Sequence, residues 1–218
     1  KVWKLKGGAG AANVKLVQSK NEAVKLINKA FGKGFSQFNR LGNLKERYKK
    51  YMSGKDSLLG VAKGVGRLII PTEFAKLQSR ERGYVYFQEF VENDGFDVRV
   101  VVIGHKAVAL KRLVRENDFR ASGSGNLIFE NEKIDKEYII KAFDLSRNIK
   151  SQSLAIDFIQ SNDNEVLIVE LSYGFPMLNF LDGAAGYWDS SLQWHEGKFN
   201  PQGWMVEEMV NSIEINKK

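Results

Sequence analysis

The stretch SLAIDFIQSNDNEVLIVELS, residues 153–172, places two carboxylates inside two apolar runs. Ser153 to Ile159 and Glu165 to Leu171 have the apolar, β-branched composition of strands, and the polar segment between them is a turn by composition. Burying an unpaired charge in such a run is costly, and a short hairpin brings Asp157 and Glu170 close together, where they repel unless a proton or cation lies between them. The stretch therefore predicts a site for a hard cation such as Mg²⁺. The alternative is that the carboxylates project to solvent from the outer face of the sheet.

The segments around this hairpin predict an α+β fold with a mostly antiparallel sheet. Three strand-like runs precede it, at Tyr84 to Val91, Asp97 to Ile103 and Ala107 to Val114. Strands and helices do not alternate strictly, so a doubly wound fold is not expected. The expected helices are a capping-box segment from Ser19 to Gly32, a basic segment at 40–82 broken by Gly54, Gly60, Gly64, Gly66 and Pro71, a segment at 135–149, and a last helix that starts at Asn200-Pro201.

Composition excludes several classes of protein. The 218 residues contain no cysteine, which excludes disulfides, thiolate metal sites and cysteine nucleophiles and agrees with a cytoplasmic protein. There is no run of about 18 apolar residues, the length that a membrane span requires. The net charge of +7 is concentrated in residues 40–82, which hold eleven Lys or Arg and four Asp or Glu. This basic segment is either a solvated helical face or a surface for an acidic substrate or a polyanion.

The first predicted strand, Val2 to Leu5, leads directly into a glycine-rich loop at Gly7 to Asn13. Glycines let a backbone approach a phosphate closely, and lysine ammonium groups stand beside the loop. The GK[ST] ending of a Walker A loop is missing, and the loop leads into a strand rather than a helix. The loop is therefore either a phosphate cradle or a tight hairpin that requires glycines. The candidate phosphate contacts are Lys4, Lys6, Gly7, Gly8 and Gly10.

Two further groups of residues carry candidate binding chemistry. The strand end Gln88 to Val91 can pair its backbone with an adenine, and the Asp97 carboxylate can accept hydrogen bonds from ribose hydroxyls, although an ordinary strand end has the same pattern. Arginines recognise carboxylates and phosphates through two parallel hydrogen bonds, but any single strand arginine is more often structural or solvated. The candidate guanidiniums are Arg99, Arg112, Arg115 and Arg120.

Taken in order along the chain, these motifs resemble the ATP-grasp superfamily, and within it the ribosomal-protein glutamate ligase (RimK-like) and glutathione synthetase type. The resemblance covers roughly the first 180 residues. Ser122 and Ser172 depart from the family pattern, which has Asn at both positions, and a hydroxyl binds Mg²⁺ more weakly than an amide carbonyl. The matching elements are the Lys4 strand with its glycine loop, the Gln-Glu-Phe strand end, Asp97-Val98-Arg99, Arg112 followed by Asp118-Phe119-Arg120, and Asp157 followed by Glu170-Leu171-Ser172.

The resemblance implies an ATP-grasp fold in which two α+β lobes clasp a nucleotide, with a small lobe at 1–90 and a large, metal-binding lobe at 91–218. It implies an ATP- and Mg²⁺-dependent carboxylate–amine ligase that acts through an acylphosphate, with Mn²⁺ as an alternative ion. The expected partners are ATP, a carboxylate substrate and an amine acceptor, which is acidic if it contacts the basic segment. Neither a membrane nor nucleic acid is expected, and the sequence assigns no oligomeric state. The family's N-terminal domain normally precedes the first strand, so we expect this chain to be part of a longer protein.

By the same resemblance, five sets of residues take roles in the reaction. Two alternatives to the ligase function stay open. One is an ATP-grasp kinase that phosphorylates without ligation, and the other is a non-catalytic module that binds a nucleotide or polyanion. The implied roles are phosphate binding by Lys4, Lys6, Gly7, Gly8 and Gly10; adenine binding by Gln88, Glu89, Phe90 and Val91; ribose binding by Asp97; acylphosphate neutralisation by Arg112 and Arg120; and metal binding by Asp157, Glu170 and Ser172.

Overall fold

The chain folds into two compact units, Lys1–Phe90 and Val91–Lys218. Every strand ladder in the described residues is antiparallel, so the predicted α+β class with antiparallel sheets is confirmed. None of the described helices is both long and apolar enough to cross a membrane. The structure, a computed structural model, describes residues 1–6, 13–36, 40–52, 54, 56–70, 79–114, 118–122, 124–175 and 183–215.

The described part of the first unit contains a three-stranded sheet of order β2-β1-β3 and three helices. The strands are β1 (Val2–Lys4), β2 (Val14–Leu16) and β3 (Phe87–Gln88), and the helices are α1 (Lys20–Phe31), α2 (Arg40–Met52) and α3 (Leu58–Ile69).

Helix α1 begins and ends where the sequence predicts. The Ser19 hydroxyl accepts a hydrogen bond from the Glu22 N–H at 3.3 Å, and the Glu22 carboxylate accepts one from the Gln18 N–H at 3.0 Å. The first bond satisfies a backbone donor that the first turn of a helix leaves unpaired, and the second ties the residue before the cap to the same turn. Gly32 follows the last helical residue, and its N–H bonds to the Asn28 carbonyl.

Two local predictions in this unit are wrong. The strand expected at Tyr84 to Val91 is limited to Phe87–Gln88, because only these residues pair with β1. The glycines at 60, 64 and 66 lie inside α3 instead of breaking it. A Cβ on Gly64 would lie 3.0 Å from the Leu44 side chain on α2, so this glycine lets the two helices approach.

The described part of the second unit contains a seven-stranded sheet and two α-helices. The sheet order is β10-β9-β5-β4-β7-β8, with β6 paired to β5. The strands are β4 (Phe96–Ile103), β5 (Lys106–Leu113), β6 (Leu127–Ile128), β7 (Ser153–Gln160), β8 (Val166–Ser172), β9 (Gly186–Asp189) and β10 (Trp194–Glu196), and the helices are α4 (Lys136–Asn148), α5 (Pro201–Ile215) and a 3₁₀ turn at Asn131–Lys133.

Side-chain alternation along β4 separates the two faces of this sheet. Val98, Val100 and Val102 belong to the main core, which includes the buried side of α4. Val101 and Ile103 point to the other face and belong to a second core with Trp204 of α5 and the nearby Phe199. Residues 97 and 99 lie on this second face, toward the start of β4. One end of the second face is therefore apolar and the other carries charged residues.

The stretch that contains Trp188 and Trp194 forms β9 and β10, two strands that are absent from the sequence predictions. Trp188 is 2% exposed, and its ring packs edge-on against Trp194 with centroids 4.6 Å apart. Nε2 of His195 lies 2.7 Å from the Asp189 carboxylate, and the His195 ring stacks on Tyr187. The hairpin supplies this partner because the intervening turn folds β10 back onto β9.

Candidate active site

Four side chains of alternating charge form a row across β5, β4 and β7. Asp97 lies directly opposite Arg112, and Arg99 lies directly opposite Asp157, so all four side chains leave the same face of the sheet. Arg112 donates from Nε and Nη2 to the two oxygens of Asp97 at 2.5 and 2.8 Å. Arg99 donates from the same two nitrogens to Asp157 at 2.6 and 2.7 Å. Nη2 of Arg112 also lies 2.9 Å from Oδ2 of Asp157, which joins the two pairs into one network, here called the charged row.

The charged row is largely withdrawn from solvent. The side chains of Arg112 and Asp157 are each 7% exposed, and those of Asp97 and Arg99 are 14% and 16% exposed. Burial raises the pKa of Asp97 above its ordinary value, and the hydrogen bonds from Arg112 offset only part of this effect. Burial acts in the same direction on Asp157, but the hydrogen bonds from Arg99 and the charge of Arg112 outweigh it, so the pKa of Asp157 lies below its ordinary value.

The remaining hydrogen-bonding capacity of the charged row can be counted. An ionised carboxylate offers about four acceptor positions. Three positions of Asp157 are filled, one on Oδ1 and two on Oδ2, so Oδ1 keeps one for a further ligand. Nη1 of Arg99 and Nη1 of Arg112 donate to no acceptor among the described residues. The row thus combines N–H donors suited to an anion with an oxygen suited to a cation.

A β-bulge brings Glu170 to the face that carries the charged row. The ladder pairs Phe158 with Ile168 but Asp157 with Glu170, so Val169 is an extra residue on β8. In a regular ladder Asp157 would lie opposite Val169, and Glu170 would point to the other face of the sheet. The sequence predicts the hairpin but not this shift, which places Glu170 and then Ser172 on the side of Asp157.

The donor set on this face fits a magnesium ion. Glu170 is exposed, and its carboxylate makes no ion pair with any described residue. The Ser172 hydroxyl donates to the Gly174 carbonyl at 2.6 Å, which leaves its oxygen lone pairs for another partner. The described residues contain no cluster of three or more His, Cys, Asp or Glu that could hold a metal by itself. Carboxylate and hydroxyl oxygens are donors that Mg²⁺ accepts, and this ion commonly takes few protein ligands and completes its shell with water and phosphate oxygens.

The other predicted residues of this unit are Val91, Arg115 and Arg120. Arg120 is held by Asp118, two residues earlier, through bonds of 2.9 Å from Nε and 2.6 Å from Nη2. The Val91 carbonyl accepts a hydrogen bond from the Asn93 side chain at 3.1 Å. Arg115 lies outside the described residues.

In the first unit, several predicted nucleotide contacts already have protein partners. Nζ of Lys6 lies 4.7 Å from the centre of the Tyr84 ring, and the Glu89 carboxylate pairs with Lys1 at 3.0 Å. Lys4 lies at the end of β1, and Gln88 pairs with that strand. Gly7, Gly8 and Gly10 lie outside the described residues, and Phe90 is the last residue of the unit.

Residues 72–179 match the family described as the RimK-like ATP-grasp domain. This segment is a RimK-like ATP-grasp domain. The resemblance drawn from the sequence motifs is confirmed, and the matched RimK-like segment contains the whole charged row together with Glu170 and Ser172. No curated protein matches the chain.

Several solved structures are similar to parts of the chain. The ATP-grasp ligase PsnB, complexed with a minimal precursor, is 26% identical over 46% of this chain and 32% of its own length, with a TM-score of 0.36. The macrocyclase MdnB from Microcystis aeruginosa MRC is 17% identical over 42% of this chain and 32% of its own, with a TM-score of 0.31. The macrocyclase MdnC from the same source, bound with its precursor peptide MdnA, is 12% identical over 58% and 35%, with a TM-score of 0.33. The matched part spans about a third of each of these proteins, and TM-scores this low add no argument to the family match.

Proposed function

We propose that this chain supplies the catalytic part of an ATP- and Mg²⁺-dependent ligase that joins a carboxylate to an amine through an acylphosphate. The charged row carries the proposal, because it lies inside the RimK-like ATP-grasp segment and combines anion-binding and cation-binding groups on one sheet face. A phosphoryl transfer followed by amide formation needs both kinds of group, since negative charge on the phosphate must be stabilised while the reactants are held in place.

Arg112 is proposed to stabilise the acylphosphate. Its guanidinium is fixed along the Nε and Nη2 edge, so Nη1 is the end that can donate to a phosphate oxygen. A donor that is already oriented stabilises charge as it develops without having to reorganise during the reaction. Arg120 is proposed for the same task, with Asp118 holding its guanidinium from one side.

Asp157, Glu170 and Ser172 are the proposed magnesium ligands, with Mn²⁺ as an alternative ion. The single acceptor position left on Oδ1 lets Asp157 bind a cation without releasing either arginine. When bound, the ion would neutralise phosphate charge and align the phosphate oxygens. Ser172 contributes a weaker ligand than the usual Asn, so Glu170 carries more of the affinity in this proposal.

The nucleotide contacts are proposed on the resemblance. The basic segment at 40–82 supports an acidic amine acceptor, because its excess of positive charge would attract such a partner. The proposed contacts are Lys4, Lys6, Gly7, Gly8 and Gly10 with the phosphates, Gln88, Glu89, Phe90 and Val91 with the adenine, and Asp97 with the ribose.

The proposal is tested on the full-length protein with ATP, Mg²⁺ and mixed pools of carboxylates and amines. ADP release that depends on both pools, with an amide product identified by mass spectrometry, is the expected result. A phosphorylated carboxylate that persists with every amine would identify a kinase and overturn the ligase assignment. ATP binding without any ADP release in these pools would support a non-catalytic module instead.

The metal site is tested by calorimetry of ATP binding with and without Mg²⁺. Glu170→Gln is expected to abolish the Mg²⁺-dependent gain in affinity, because it removes the exposed carboxylate beside Asp157. Glu165→Gln is the matched control, since Glu165 is an exposed carboxylate in the turn of the same hairpin and lies outside the proposed site. Equal Mg²⁺ dependence in the two variants would show that the metal site is wrongly placed.

A further inference from the structure

We infer that Tyr84 is a positioning residue that holds Lys6 at the start of the glycine-rich loop and thereby raises the affinity for ATP. The inference rests on the proposed function, in which Lys6 contacts the phosphates. Neither the sequence motifs nor the family resemblance assigns a role to Tyr84.

Tyr84 contacts both the backbone and the side chain of Lys6. Its hydroxyl accepts a hydrogen bond from the Lys6 N–H at 2.9 Å, and the centre of its ring lies 4.7 Å from Nζ of Lys6. The first contact fixes the chain at the residue that directly precedes Gly7, and the second restricts the ammonium group through a cation–π interaction. One side chain therefore limits both the point at which the loop begins and the space that the lysine can sample.

The direction of the hydrogen bonds at the Tyr84 hydroxyl follows from its single proton. The hydroxyl donates that proton to Oε2 of Glu81, so its oxygen lone pairs remain to accept the bond from the Lys6 N–H. Burial and the hydrogen bond to Glu81 raise the pKa of Tyr84 above its ordinary value, which keeps the hydroxyl protonated at neutral pH. A continuous chain of hydrogen bonds thus joins the backbone of Lys6 to the carboxylate of Glu81.

Glu81 is a fixed support for Tyr84. Its backbone N–H and C=O bond to those of Phe35, each over 2.8 Å. The Phe35 side chain is buried, and its ring centre lies 4.5 Å from that of Trp3 in β1. Because the core of the unit holds these residues, Lys6 is positioned before any ligand binds. A group that is already held near its bound position loses less conformational freedom on binding, which strengthens the affinity.

Tyr84→Phe separates the hydroxyl from the ring. The Tyr84 ring packs against the core that contains Trp3 and Phe35, so phenylalanine keeps this packing and removes only the acceptor for the Lys6 N–H. Tyr86→Phe is the matched control. Tyr86 is 48% exposed and contacts β1 through its backbone carbonyl, which the substitution leaves in place.

¹H–¹⁵N NMR of the full-length protein measures the contact independently of catalysis. We expect the Lys6 amide to shift and to exchange with solvent several-fold faster in Tyr84→Phe, and to keep its exchange rate in Tyr86→Phe. The side-chain protons of Lys6 should keep a ring-current shift in Tyr84→Phe and lose it in Tyr84→Leu. An unchanged Lys6 amide in Tyr84→Phe would overturn the positioning role.

Calorimetry of ATP binding to the full-length protein measures the effect on affinity. Tyr84→Phe should weaken ATP binding by about three- to tenfold, the range that corresponds to the loss of one hydrogen bond. Tyr86→Phe should change it by less than about twofold. In a Lys6→Ala background, Tyr84→Phe should add less than about twofold, because the ammonium group that Tyr84 positions is already absent. A merely structural role would give the same loss in both backgrounds.

The titrations distinguish failure of this inference from failure of the proposed function. Wild-type ATP binding that Tyr84→Phe leaves unchanged, or losses that add in full in the Lys6→Ala background, would overturn the inference alone. A wild type that binds ATP but forms no amide product would overturn the ligase assignment and leave the role of Tyr84 in place. A wild type that does not bind ATP would overturn both.

Discussion

Asp157→Asn and Glu170→Gln each remove one negative charge from the same β7–β8 hairpin, but the structure predicts very different effects on stability. In Asp157→Asn a neutral amide replaces the carboxylate that holds two guanidiniums, so Arg99 would keep no carboxylate partner among the described residues, and Arg112 would keep only Asp97. Removing one partner of a buried ion pair costs about 3–5 kcal/mol. Arg99 retains 16% exposure and can recover some hydration, so we expect the lower end, about 3 kcal/mol.

Glu170→Gln should change stability by less than about 0.5 kcal/mol, since the Glu170 side chain is exposed and makes no ion pair with a described residue. For a unit of this size, 1 kcal/mol corresponds to roughly 3–4 °C in Tm. The expected losses are therefore about 10 °C for Asp157→Asn and less than about 2 °C for Glu170→Gln.

Urea unfolding followed by tryptophan fluorescence measures this difference. Trp188, Trp194 and Trp204 lie in the second unit, so the signal mostly reports the unit that carries the substitutions. Both variants are expected to lose Mg²⁺-dependent ATP binding, which makes Glu170→Gln the control for binding loss without unfolding. Equal urea midpoints for the two variants, or a lower midpoint for Glu170→Gln, would refute the assignment of Asp157 as the electrostatic centre of the charged row.

Three further predictions concern packing and pH. Gly66→Ala should stabilise α3 by about 0.5–1 kcal/mol because a Cβ there meets nothing within 4 Å, whereas Gly64→Ala should gain less because its Cβ would crowd Leu44; thermal melting of the two variants measures the difference. Phe158→Ala should cost about 3–5 kcal/mol, since the Phe158 side chain is fully buried in the main core, and a loss below about 1 kcal/mol by urea titration would contradict that placement. Asp157, whose pKa lies below its ordinary value, contributes stability that is present above about pH 4 and is lost as the pH falls through its lowered pKa, so the difference in unfolding free energy between the wild type and Asp157→Asn should shrink from about pH 7 to about pH 2.

Local sequence signals predict the helices and strands that are determined by residues close together in the chain. Helix α1 follows from a capping serine, a glutamate three residues later and a terminal glycine, and the structure contains each of these contacts. The β7–β8 hairpin follows from two apolar runs separated by a polar turn. Both are decided by residues that are neighbours along the chain, and no tertiary information is needed to find them.

Local sequence signals do not predict features that depend on a residue far away in the sequence. Gly64 resembles a helix breaker until Leu44 of α2 is seen to occupy the space of its missing side chain. The Asp97–Arg112 and Arg99–Asp157 pairs require the register of β4 with two other strands, which a single sequence does not contain.

The proposed metal ligands give a further example of a feature that the sequence alone does not predict. The sequence indicates that Asp157 and Glu170 meet across a hairpin, but strict alternation would have placed them on opposite faces of the sheet. The extra residue Val169 corrects the alternation, and nothing in its side chain marks it as the site of a bulge.

The charged row and the basic segment at 40–82 should respond in opposite ways to ionic strength. The row brings two aspartates into contact with two arginines, so it has no net charge and exerts little attraction at long range, while its short, shielded contacts are hardly screened by salt. The segment holds eleven basic and four acidic residues, and its attraction for an acidic partner weakens as the screening length shortens to about 8 Å at physiological salt. Under the proposed function, added salt should therefore slow the arrival of an acidic acceptor and leave the chemistry proposed for the charged row unchanged, so a salt titration would separate substrate binding from substrate conversion.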